Sequence, residues 1–178
     1  MRHILYILLL VLVLAQCRRK EPDYLTQFPG KPEVPACIKE EHERLLREME
    51  KLTLSKDSTG RVAARTLQLM RHHFQEEEDY VLPPLRTLPL LASELIPDHG
   101  AEIIRLTEKL RSQLAHLNAE HQMVRNHLEE LRLAVAYDSR PDISTLEEEI
   151  ARHARVEEEV YFPAAILVGE YLKQKGSN

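Results

Sequence analysis

Two histidine–glutamate pairs carry the first chemical signal in this chain. His73 is followed four residues later by Glu77, and His153 by Glu157. Each carboxylate is followed by a second one, Glu78 or Glu158, and then by a proline, Pro83 or Pro163. Upstream of each pair lies another histidine in a matching stretch: Glu41-His42 opens EHERLLREMEKL, and Glu120-His121 opens EHQMVRNHLEEL. A solvated surface has no reason to hold such a register twice. In a helix, residues four apart are separated by only ~40° around the axis, so each His–Glu pair projects from one face. His42 and His121 also fall on apolar stripes, among Ile38, Leu45, Leu46 and Met49 in one case and Leu117, Val124 and Leu128 in the other.

That pattern aims four imidazoles and two carboxylates into one interior. An ionised Glu buried there without a partner costs several kcal/mol, and the stripe offers no Lys or Arg to neutralise it. A pair of divalent cations would neutralise both. Imidazole with carboxylate suits iron, manganese or zinc, and two bridging carboxylates suit a dinuclear centre. Four imidazoles and two bridging carboxylates fill about eight of the roughly twelve positions around two six-coordinate irons, which leaves a solvent bridge and exchangeable positions for an exogenous ligand.

The elements that must position these groups are helices. Only 5 glycines and no tryptophan stand beside 30% charged residues, with long runs free of breakers. The apolar period predicts a first helix from Ile38 to about Lys56 and, after the capping turn Asp57-Ser58-Thr59-Gly60, a second to about Leu82. Leu85 to Pro97 is apolar but broken by prolines and reads as a packed loop. Asp98 caps a long third helix to about Tyr137, and Pro141-Asp142 opens a fourth, which Pro163 bends or interrupts. The expected fold is all-α: an up-down-up-down antiparallel four-helix bundle over residues 36–175, built from two similar halves.

The paired H-x-x-x-E…P segments, each with its upstream histidine, resemble the hemerythrin-like family of HHE cation-binding domains. The resemblance covers residues 38–165 and implies a four-helix bundle with a non-haem di-iron centre that binds dioxygen or related small ligands. By position it implies His42, His73, Glu77, His121, His153 and Glu157 as ligands, with Glu77 and Glu157 bridging. Oxygen-carrying hemerythrins have a fifth histidine one turn from the third-helix ligand, where this chain has Leu117 and Arg125. That departure favours sensing, nitric oxide or peroxide chemistry, or iron binding over reversible oxygen carriage. Glu158 is the alternate to Glu157, and Tyr161, one turn on, is a hydrogen-bond donor toward the site or a packing residue. A lone histidine on such a stripe would more often be core; His72, His99, His116 and His127 read as solvated, and Glu41 and Glu120 as outer partners of the site or as i,i+4 helix partners.

Other classes are excluded or set behind this one. No Gly-rich nucleotide loop and no H-E-x-x-H occurs, and a net charge of −5 with interspersed basic residues argues against nucleic acid as a partner. A peroxide-consuming di-iron enzyme and a metal-free structural bundle are the alternatives, with a ligand-binding protein favoured over an enzyme.

At the N-terminus, Arg2 and His3 precede an apolar run from Ile4 to Ala15 that is too short to span a bilayer but fits a signal segment. Leu14-Ala15-Gln16-Cys17 resembles a bacterial lipobox, which implies a signal over residues 1–17, lipidation of Cys17 and membrane attachment at the cell envelope. Cleavage after Ala15, giving a secreted or periplasmic soluble protein, and an uncleaved anchor are the alternatives; an unmodified Cys17 could then pair with Cys37. Residues 18–35, with Pro22, Pro29, Pro32 and Pro35, read as an extended tether.

Overall fold

The computed structural model describes residues 32–176. The signal segment and Cys17, with most of the tether, lie outside them. The described chain is helical and contains no strand. Its α-helices are α1 (Ala36–Thr53), α2 (Ser58–Glu76), α3 (Leu88–Ala92), α4 (Gly100–Tyr137), α5 (Ser144–Val156) and α6 (Phe162–Gly176). α2 continues without a break into a π turn, Glu77–Val81, and α5 into a second, Glu157–Tyr161. The helical pieces therefore outnumber the four expected from periodicity. Among the described residues no helix is long and apolar enough to cross a membrane.

The two π turns have a common cause. In an α-helix the ring of Pro83 would clash with the carbonyl of Asp79, and that of Pro163 with the carbonyl of Glu159. Widening the preceding turn relieves the clash: Leu82 N–H donates to the Glu77 carbonyl at 2.9 Å, five residues back, and Phe162 N–H donates likewise to Glu157. Pro163 thus does not interrupt the helix, which runs on to Gly176. Pro83 is followed by Pro84, and there the chain tightens into a 3₁₀ turn, Pro83–Thr87, before α3. The segment expected as a packed loop is therefore partly helical.

Asp57 caps α2 by accepting from Gly60 N–H at 3.3 Å, as its sequence position predicts. The start of α4 differs from expectation: His99, not Asp98, occupies the cap position and makes no side-chain capping bond. α1 is shorter than its apolar pattern suggests, ending at Thr53. α6 lies tight against α4, where a Cβ on Gly169 would fall 1.9 Å from Thr107 Oγ1.

The core has two main apolar layers. One gathers Leu45, Met49, Leu67, Met70, Phe74, Val124, Leu128, Leu131 and Ile150. The other gathers Ile38, Tyr80, Leu82, Leu106, Leu110, Leu117 and Phe162. Along α1, α2 with its π turn, α4, and α5 with its π turn, the order is the same: one layer, then the His or Glu, then the other layer. The polar groups are sandwiched between apolar plugs.

Candidate metal centre

α1 and α4 each bring one histidine to that sandwiched level. α2 and α5 each bring a histidine, and the π turn after each brings a glutamate at its first residue. His42, His73, Glu77, His121, His153 and Glu157 are all buried, none more than 4% exposed. His153 Nε2 lies 2.9 Å from Glu157 Oε1, and His73 Nε2 lies 3.2 Å from Glu77 Oε1. Across the bundle, His121 Nε2 is 3.3 Å from Glu157 Oε2, and His42 Nε2 is 3.6 Å from both Glu77 and Glu157.

None of these close approaches has hydrogen-bond geometry. The Nε2 atoms of all four histidines and both oxygens of Glu77 and of Glu157 are buried without a hydrogen-bond partner. Buried polar atoms are otherwise almost always satisfied, so a cluster of orphans points to something that belongs between them. Their ligand atoms form two groups that could hold a metal ion: His42, Glu77, His153 and Glu157, and His73, Glu77, His121 and Glu157. Both carboxylates are common to the two groups. Each group takes one histidine from each half of the repeat, so neither half could build a position alone.

The outward nitrogens all face carboxylates, three of them at hydrogen-bond distance. His42 Nδ1 is 3.0 Å from Glu78, His121 Nδ1 2.7 Å from Glu158, and His73 Nδ1 2.9 Å from Glu120. His153 Nδ1 faces Glu41 at 3.4 Å. A carboxylate on Nδ1 fixes the tautomer with Nε2 free for coordination and makes the imidazole a stronger donor. Rings complete the hold. Phe74 stacks on His42 at 3.9 Å between centroids, and Phe162 stacks on His121 at 5.8 Å.

Without a cation, protons must balance this charge. Burial works against the imidazolium of His73, yet Glu77 and Glu120 beside it prevail and push its pKa up to about 10. Burial likewise opposes the charged form of His153, and Glu157 overcomes it, raising the pKa. Glu77 is raised by burial and by Glu157 facing it. Burial also pushes Glu157 upward, but the imidazoles of His121, His153 and His42 around it hold it well below the usual carboxylate range. One carboxyl of the facing pair keeps its charge while the other is driven toward protonation, as two like charges in one dry site require.

The structure places the other sequence candidates outside this inner set. Glu158 is the outer partner of His121 rather than part of the inward cluster. Tyr161 packs, half-buried, against the layer containing Ile38 and Phe162. Sequence reasoning missed the role of Glu78, although the doubled glutamate of each repeat carried the signal: the first residue turns inward and the second reaches the upstream histidine. It also missed the ring pairing of Phe74 and Phe162, because these residues are not equivalent in the repeat.

A family model described as the hemerythrin HHE cation binding domain matches residues 33–165, most of the chain. No curated protein and no solved structure matches.

Proposed function

The chain belongs to the hemerythrin HHE cation-binding family, and from that premise we propose that it is a di-iron protein of the cell envelope that binds or senses dioxygen, nitric oxide or peroxide. His42 and His153 would hold one ion and His73 and His121 the other, with Glu77 and Glu157 within reach of both. The observation that carries this reading is the set of buried Nε2 and carboxylate oxygen atoms without hydrogen-bond partners, in two groups that share both glutamates. Manganese or zinc could occupy the same donors, but zinc, being redox-inactive, would leave the ligand chemistry unused.

Two iron ions, when bound, supply a coordination position where a small exogenous ligand is taken up. The chain's own residues do the rest. Glu78, Glu120, Glu158 and Glu41 hold the four imidazoles in register, and the two apolar layers limit access of water. No histidine stands at Leu117 or Arg125, which leaves the His121 side with fewer protein donors than an oxygen carrier has. The same reading includes an antiparallel up-down-up-down arrangement of four helical rods, supported by the packing of α1 on α2, α2 on α4 and α4 on α6. It also includes attachment to the envelope through lipidated Cys17, supported by the signal-like run before it.

Iron analysis of protein purified without added metal tests the centre. About two irons per chain are expected, with an absorbance change when the reduced protein meets dioxygen or nitric oxide. Protein that retains no metal, or retains iron but is spectrally indifferent to both gases, overturns the proposal.

A further inference from the structure

A second group of histidines and glutamates lies just outside the buried centre. On α2, His72 and Glu76 are one turn apart; on α4, which packs against it, His116 and Glu120 are one turn apart. His72 and His116 are exposed, at 64% and 45%, but Glu120 is only 4% exposed. Its Oε2 is taken by His73 Nδ1. Its Oε1 points the other way, 3.6 Å from His116 Nε2 and 3.8 Å from His72 Nδ1, too far for a hydrogen bond to either. Glu76 completes the cluster: Oε2 accepts from His116 Nε2 at 2.9 Å and lies 3.7 Å from His72 Nδ1, while Tyr80 donates to its other oxygen at 3.4 Å. The ligand atoms of His72, Glu76 and Glu120 all lie within 4.8 Å of one another.

Donors at those separations suit one ion with metal–ligand bonds of ~2.0–2.2 Å, the range for zinc with His and carboxylate ligands. We propose that His72, Glu76 and Glu120, with His116 as fourth donor, form a separate solvent-facing site for one divalent transition-metal ion. The repeat supplies an internal control. The equivalents of His72, Glu76 and His116 in the other half are Arg152, Val156 and Cys37. Only Glu120 has a matching residue, Glu41, and that match is explained by the histidine each one holds. Nothing in the buried centre therefore requires the outer group. The buried carboxylate is aimed into it nonetheless. The outer site shares no ligand with the inward cluster; Glu120, through Oε2 on His73 Nδ1, is the link between them.

Zinc titration of the purified, iron-loaded protein, with iron and zinc counted together after removal of free ions, tests this. Wild type should gain one zinc per chain with its iron retained. H72A/H116A changes two exposed side chains, and it should lose that zinc while keeping wild-type iron. A wild type that gains no zinc, or a variant that gains it as wild type does, overturns the site. Loss of iron from wild type with the extra zinc still bound would instead count against the buried di-iron reading and leave this site standing.

Discussion

The two halves of the molecule agree where they face each other and differ where they do not. In each, the first histidine leans on the second glutamate of the downstream pair: His42 on Glu78 and His121 on Glu158. In each, the second histidine leans on the glutamate that precedes the first histidine of the other half: His73 on Glu120 and His153 on Glu41. Outside this shell the correspondence is only partial. Phe74 is matched by Ala154, Pro84 by Ala164, and the outer pair His72 and Glu76 by Arg152 and Val156. Glu120 is 4% exposed and Glu41 30%. The duplicated elements are those that a shared charge problem couples across the interface, because each group that could hold an ion takes one imidazole from either side. Residues that do not share that problem are free to diverge.

The largest effect should come from the carboxylates common to both positions. Glu77→Ala or Glu157→Ala should remove both ions, whereas His42→Ala should spare the position built on His73 and His121; metal analysis of the three variants separates these outcomes. Loss of one ion only from both glutamate variants would mean that the carboxylates do not bridge.

Next comes a ring that only the first half possesses. Phe74→Ala makes that position match Ala154 and should destabilise the metal-free chain by about 3–5 kcal/mol in a denaturant melt, because it empties a buried site and unstacks His42. A cost under about 1 kcal/mol would mean that the layer repacks around the gap.

The paired outer carboxylates give a graded comparison. Glu120→Gln should weaken metal binding by roughly 10–100-fold, as removal of such a partner usually does. Glu41→Gln should do less, since its group is more exposed and sits 3.4 Å from His153. Equal effects in a competitive chelator titration would show that burial of the partner carboxylate is immaterial.

The last comparison concerns protons. His73 in the metal-free chain has its pKa raised from 6.5 to about 10. A raised histidine contributes stability that is fully present below its unfolded value and is lost as pH rises through its folded one. The metal-free protein should therefore lose thermal stability between about pH 6.5 and 10. Metal uptake near neutral pH should release protons, measurable as a buffer-dependent heat. A flat melting temperature across that window would contradict a protonated His73.

Much of this was legible in the chain. The helical stripes placed Ile38, Leu45 and Met49 on one face with His42, and Leu117, Val124 and Leu128 with His121, and all of these are buried. The inward turn of Glu77 and Glu157 was also readable, from the four-residue spacing and from the absence of a basic neighbour. The division of labour between Glu157 and Glu158 was less so, because a helix wheel separates consecutive residues by about 100° but does not say which neighbour waits outside. The π turns were hidden for a different reason. Pro163 announces a disturbance, yet whether the helix breaks or absorbs it depends on the next residue, and Ala164 allowed continuation where Pro84 did not.

Local spacing, then, determined by itself which side chains turn to the interior, since a helix converts intervals of three and four residues into a face whatever surrounds it. Which imidazole stands opposite which was decided only by the packed fold. The crossing of His42 with His153 and of His73 with His121, the burial of Glu120 against the exposure of Glu41, and the approach of α2 to α4 that gathers His72, Glu76 and His116 all join residues far apart in the chain. No interval along the sequence encodes such distances; they are set by how apolar layers on separate helices close against one another.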